Sequence, residues 1–239
     1  MRRLWAWGLF AGMVTCTAWA QLPNAGVQTD VMQTNQGELQ IKPLTKASIL
    51  LSWAGLEIYV DPLDAKNFAG WPKADVIVLT GPDAAHYDGN ALQALSKPST
   101  EVIAPAQLSK MIVDSHVVAP GSTQTMQISH EGKPIPMTVS AQAHSSDRGV
   151  SYVLSLGEKN VFISGDTACT PEIQALKNIA VAFIAVDEDR AMAPEVAAAC
   201  VAHFQPKVVY PYEAEGNGAD VFADSMKPDH DVEVRVRPW

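Results

Sequence analysis

The sequence predicts an αββα sandwich, two mixed β-sheets packed face to face with helices on the outside. Three observations predict it. Short β-rich runs come as hairpins, are followed by helical segments, and then the same order begins again. The runs at 75–79 (DVIVL) and 181–186 (VAFIAV) are apolar without alternation, as strands buried on both faces are. The 239 residues contain no repeat, low-complexity tract or internal linker, so one domain has to hold every element.

The first residues read as an address. Arg2 and Arg3 form a positive start, residues 4–19 are apolar and uncharged, and Ala18-Trp19-Ala20 matches a small-x-small cleavage pattern. A signal peptide over 1–20 is therefore expected, with a periplasmic or secreted destination. The apolar stretch is shorter than the ~20 residues of a spanning helix, so no membrane span is expected in the mature protein. Cys16 lies inside that stretch after Thr15, which argues against a lipid anchor. Removing 1–20 leaves 219 residues and moves the net charge from −9 to −11, because Arg2 and Arg3 are its only charges. That acidity, with no basic run elsewhere, argues against a nucleic-acid partner or an anionic membrane surface. The expected partner is a small-molecule ligand or substrate in a cleft, and no pattern fixes the oligomeric state.

Residues 21–37 read as a polar lead-in and 38–239 as the folded domain. Strands are expected at 38–41 and 47–53, with 56–60 as a hairpin partner across Ala54-Gly55. After the strand at 75–79 come a helix at 90–95, a strand at 101–104 and a helix at 106–113. Strands follow at 124–129, 135–142, 150–156 and 160–164, the last two joined by a turn at Gly157-Glu158-Lys159. Thr170 and Pro171 cap and open a short helix. The remaining elements are a strand at 181–186, an alanine-rich helix from Pro194 to about 204, a strand at 207–210, a helix at 219–226 and a strand at 232–236. Cys169 and Cys200 lack metal-ligand spacing; export would permit a disulfide between them, and two buried thiols are the alternative.

Polar residues of a catalytic kind collect in the loops after buried strands. They are TGPDAAHYD at 80–88, His144-Ser145-Ser146, Gly165-Asp166-Thr167 and Pro211-Tyr212-Glu213. Four loops at one sheet edge can converge on a single cleft. Together with the segments KASILLSWAGLEIYVDP, WPKADVIVLT, SYVLSLGEKNVFISGDTACTPEIQALKNIAVAFI and AMAPEVAAACVAHFQPKVVYPY, they give the chain its likeness. From about residue 27 to 239 it resembles the metallo-β-lactamase superfamily, in its exported metal-dependent hydrolase branch.

The resemblance implies the αββα fold and a two-metal site built on T-H-x-H-x-D-H, a hairpin histidine, a bridging aspartate and a final histidine. In this chain the first two histidines fall on Gly81 and Asp83, the aspartate on Ala85, and the third histidine on His86. His144 matches the hairpin histidine, Asp166 the bridge, and Glu213 stands for the final histidine. The implied metal set is thus Asp83, His86, His144, Asp166 and Glu213, with His86 and Asp166 as catalytic candidates.

Gly81 and Ala85 have no donor atom, so a dinuclear zinc centre is not expected. Imidazole with several carboxylates suits one divalent ion, and the carboxylates tilt the choice from zinc toward manganese, magnesium or calcium. Two classes stay open: a non-classical or inactive homologue with an eroded site, and an active hydrolase of an ester, lactone, amide or phosphodiester on an altered mononuclear site. Without metal, clustered carboxylates repel. Lys46, which replaces the histidine of the family's early G-H-A-S, is expected to reach in and pair with Asp166 or Glu213. Residues 187–190 (DEDR) read as a solvated charge run, from which Arg190 could meet an anionic group. His144-Ser145-Ser146 and Cys169 are weak nucleophile signals without a G-x-S-x-G motif. His116, His130, His203 and His230 read as ordinary surface or helix residues.

Overall fold

Hairpins build one half of each sheet and parallel crossovers build the other. The computed structural model describes residues 27–145, 149–228 and 231–239. The expected signal peptide, Ser146 and His230 lie outside the described residues. In the first sheet β1 (Asp30–Thr34), β2 (Gly37–Pro43), β3 (Ile49–Trp53) and β4 (Leu56–Val60) form an antiparallel meander. β5 (Val76–Val78) and β6 (Glu101–Ile103) then join in parallel, with helix α1 (Gly89–Leu95) as their crossover.

The second sheet mirrors this plan. β7 (Thr123–His130), β8 (Lys133–Gln142), β9 (Ser151–Leu156) and β10 (Lys159–Ile163) are antiparallel neighbours. β11 (Ile179–Ala185), β12 (Val208–Tyr212) and β13 (Glu233–Val234) follow in parallel. Helices α2 (Pro171–Gln174), α3 (Pro194–Phe204) and α4 (Gly218–Met226) make those crossovers.

Three apolar clusters show why both sheets lack simple alternation. Ile41, Trp53 and Val78 meet Tyr152, Phe183 and Tyr212 between the sheets. Leu50, Tyr59 and Ile77 point the other way, under Ala91 and Leu95 of α1. Phe162, Ile184 and Val209 pack under Val201 and Phe204 of α3 and Phe222 of α4. A strand with an apolar layer on each face reads as a continuous hydrophobic run, and the αββα order follows. Among the described residues no helix is long and apolar enough to cross a membrane.

Three local expectations change. Within the polar lead-in, residues 30–34 form an edge strand whose sides are half-buried at best, so no apolar alternation marks it. It is held by charge: the Asp30 carboxylate accepts from Arg237 Nη2 (2.9 Å), Arg237 Nε (3.0 Å) and the Tyr210 hydroxyl (2.8 Å). The helix expected at 106–113 is a single 3-10 turn, Ala106–Leu108. Only Leu108 and Ile112 are buried while Met111 and Val113 face solvent, so no helical face forms. The last strand shrinks to Glu233–Val234, since Arg235 and Arg237 turn toward Tyr210 and Asp30.

Cys169 and Cys200 form a disulfide, with their Cα atoms 5.7 Å apart and a sequence separation of 31. It ties the loop after β10 to α3. Closing a loop of that size restricts the unfolded chain by about 3.5 kcal/mol in the chain-entropy treatment. Reducing the bond, or replacing both cysteines with serine, should lower unfolding free energy in urea by about 2–4 kcal/mol. A loss below about 1 kcal/mol would mean that the bond is not a main constraint on this half of the molecule.

Candidate metal centre and its charge network

The site is assembled from the ends of β4, β5, β10, β11 and β12, and its anchor is a residue outside the predicted set. Asp61 follows β4 in the left-handed conformation (φ 41°) and has no solvent contact. Ser48, also fully buried, donates its hydroxyl to the Asp61 carbonyl at 2.7 Å and so fixes that backbone. The Asp61 carboxylate accepts from the Thr80 amide at 2.7 Å and the Thr80 hydroxyl at 2.5 Å. It also lies 3.0 Å from His86 Nδ1. A buried carboxylate is tolerated when its oxygens are paired in this way. In sequence Asp61 is signalled only by the V-D-P that ends an apolar strand.

His86 is thereby oriented, with Nδ1 toward Asp61 and Nε2 into the cleft. Nε2 is 3.0 Å from Asp166 Oδ2, an ion-pair contact. Burial alone would depress the imidazole, but Asp61 and Asp166 overcome it and raise its pKa to about 11. His86 is therefore a cation at neutral pH. Burial would raise Asp166 in turn, yet His86 and Arg190 hold it below the usual carboxylate value.

Asp166 sits on a tight loop. Gly165 has φ 59°, and a Cβ there would lie 3.0 Å from the Thr80 Cβ and 3.2 Å from His144 Nε2, so only glycine fits. The buried Tyr212 hydroxyl accepts from the Gly165 amide at 3.0 Å. Ser145 accepts from the Ala168 amide at 2.9 Å and its own amide donates to Thr167 Oγ1, so it clamps this loop and does not act as a nucleophile. Cys169 is committed to the disulfide.

The counter-cation is Arg190, not Lys46. Lys46 is exposed and makes no ion pair among the described residues. The Asp187 carboxylate turns the 187–190 loop by accepting from the Asp189 and Arg190 amides, and it grips Arg190 Nε and Nη2, each at 2.9 Å. This carries the guanidinium to 3.4 Å from both Asp166 Oδ2 and Glu213 Oε2. The run read as solvated thus delivers its one cation to the site. A short Lys46 turn cannot compete with a planar fork that meets several carboxylates together.

Glu213 occupies a left-handed backbone position (φ 56°) and its side chain is almost wholly buried. Burial, opposed by His86 and reinforced by Asp166, pushes its pKa up to about 8. Its Oε1 lies 3.9 Å from His86 Nδ1 and has no hydrogen-bond partner.

Asp83, His86 and Asp166 each place one ligand atom within 4.8 Å of the others. Asp83 is exposed at the cleft mouth and its Oδ1 accepts from the Ala85 amide at 2.9 Å. His86 Nε2 and Asp166 Oδ1 are buried without hydrogen-bond partners. An imidazole anchored through its other nitrogen, beside two carboxylates, is a donor set that fits one divalent ion. A second ion has no comparable set, because Gly81 and Ala85 offer nothing and Arg190 already faces Asp166 and Glu213. Glu213 and His144 stand outside the triad. His144 Nε2 is 3.1 Å from the Ser164 carbonyl, an N–H donor contact; burial lowers its pKa and keeps it neutral. His116 pairs with Glu101 and His130 with Asp75, both away from the cleft.

Residues 40–213 match the family described as the beta-lactamase superfamily domain. This chain belongs to the metallo-β-lactamase superfamily. A structure from Parabacteroides distasonis ATCC 8503, described as a proposed metal-dependent hydrolase, shares 31% identity, with 88% of this chain and 98% of that one covered at a TM-score of 0.79. The metallo hydrolase Igni18 from Ignicoccus hospitalis KIN4/I is 17% identical, with coverages of 84% and 95% and a TM-score of 0.71. The metallo-β-lactamase fold protein YhfI of Bacillus subtilis is 13% identical, with coverages of 81% and 89% and a TM-score of 0.64; these two likenesses show the fold alone. No curated protein sequence matches the chain.

Glu213 gives the superfamily member a pH signature. Its folded pKa, about 8, lies above the ordinary 4.5, so its protonation stabilises the fold fully below pH 4.5. That contribution is lost as pH rises toward 8, with a slope of at most about 1.4 kcal/mol per pH unit for one proton. Glu213→Gln should remove this slope from metal-free protein and equal or exceed the parent's stability at pH 8. A metal-free parent whose stability changes with pH between 5 and 8 no differently from the variant's would show that Glu213 keeps an ordinary carboxylate pKa.

Proposed function

We propose that this protein is an exported, non-classical member of the superfamily that has given up two-metal hydrolysis and uses its cleft to bind a small molecule. At most one divalent ion accompanies that role, held by Asp83, His86 and Asp166. The observation that carries this reading is Arg190, whose guanidinium stands within 3.4 Å of both Asp166 and Glu213. A permanent, tethered positive charge there offsets the carboxylates that a second ion would need. An ion at the triad supplies Lewis acidity when bound. The chain's own groups do the rest: Asp61 fixes the His86 ring, His86 holds a proton at Nε2 whenever no ion is bound there, and Arg190 helps to hold Asp166 ionised. Export is supported by the N-terminal pattern of residues 1–20 and by the Cys169–Cys200 disulfide, since such bonds persist in oxidising compartments.

One observation favours the second reading, mononuclear hydrolysis of an ester, lactone, amide or phosphodiester. Glu213 borders the cleft with a pKa of about 8, so near neutral pH it can give and take a proton, as a general acid or base must.

Elemental analysis of protein purified without chelator, followed by calorimetric titration with manganese, tests the proposal. It should give no more than one ion per chain. Arg190→Met should raise manganese affinity at least tenfold, because the ion then meets Asp166 without a competing cation. Two tightly held ions in the unaltered protein, or no change on removing Arg190, would overturn it.

A further inference from the structure

Above the charge network lies a cleft of about 460 Å³, a size that suits a small organic ligand. We infer that this cleft takes a compact organic carboxylate, with its anionic group on Lys46 and its apolar body against Trp239; the inference rests on the cleft-binding role proposed above.

Four observations converge on it. Lys46 and Arg190 both line the cleft, from different loops. They differ in how far their charges are spent. Arg190 is paired with Asp166, Asp187 and Glu213, whereas Lys46 has no carboxylate partner among the described residues. The backbone of Lys46 is fixed in a left-handed turn (φ 56°) by hydrogen bonds from the Leu44 amide to the Ser48 carbonyl (3.0 Å) and from the Ser48 amide to the Thr45 carbonyl (2.9 Å). The cation is therefore presented from a defined rim.

Trp239 supplies the opposite requirement. Its indole N–H donates to the Pro211 carbonyl at 3.0 Å and its ring packs 5.7 Å from Tyr212, centroid to centroid. The ring is thus a positioned apolar wall. Alanines, Ala84 and Ala85 among them, line the cleft beside it and leave the space open. Glu213 lines the same cleft. Glu215 also lines the cleft and disfavours a second anionic group, so the fitting ligand carries one carboxylate and an uncharged remainder.

Benzoate, benzamide and benzylammonium share a ring and differ in charge. Each is titrated into the full mature chain with EDTA present, following the Trp239 indole N–H resonance, assigned by its loss in Trp239→Phe. Benzoate should bind at least fivefold more tightly than benzamide, and benzylammonium more weakly than either. Lys46→Gln should weaken benzoate at least fivefold without changing benzamide, and Lys46→Arg should restore it. Equal binding of benzoate and benzamide, tighter binding of benzylammonium, no perturbation by benzoate, or unchanged affinity in Lys46→Gln would each overturn the inference. Because chelator is present throughout, the result is independent of how many ions the triad holds.

Discussion

A carboxylate with no access to water constrains everything else in the cleft. A buried carboxylate needs donors around its oxygens, and for Asp61 they are Thr80, through amide and hydroxyl, and His86, through Nδ1. Meeting that demand joins the end of β4 to the end of β5 and sets the direction of the His86 ring. From there the pairing runs outward: Asp61, His86, Asp166, Arg190, then Asp187. Each member is held by its neighbour's charge, so the arrangement stands or falls as a unit. Truncating one partner of such a buried pair strands the other, which typically costs 3–5 kcal/mol.

This alternation explains how a metal-site framework stands with Gly81 and Ala85 at positions where the resemblance implies ligands. Carboxylates gathered for cations need cations, and His86 and Arg190 supply them from within the chain. Glu213 follows a different route, with burial raising its pKa until it is largely neutral at ordinary pH. The disulfide contributes from outside the network. It joins the loop carrying Asp166 to the helix that follows Arg190, the two segments whose separation sets their contact.

The sheets and helices were legible because their signals are local: hairpin turns, doubly buried apolar runs, and Pro171 and Pro194 at helix starts. The strand at 30–34 was not, since it is an edge held by Asp30's reach to Arg237 across the whole chain. In the site, His86, Asp83 and Asp166 could be read from the resemblance and do come together. Arg190 looked like a surface charge because its role depends on Asp187 folding the loop back over the cleft. Lys46 stands where the resemblance implies a histidine, which suggested the role, but it lines the cleft without a carboxylate partner among the described residues. Asp61 lay in plain view at the end of a strand; nothing in a linear sequence separates a buried, paired aspartate from one that opens a turn.

The central claim is that the cations of this network are internal, with His86 as an imidazolium in the metal-free protein. Long-range proton–nitrogen NMR of chelator-treated protein at pH 8 reads this directly. Both His86 nitrogens should carry protons there, and only one after a stoichiometric diamagnetic divalent ion is added. A neutral His86 ring at pH 8 in the absence of any ion would contradict the account.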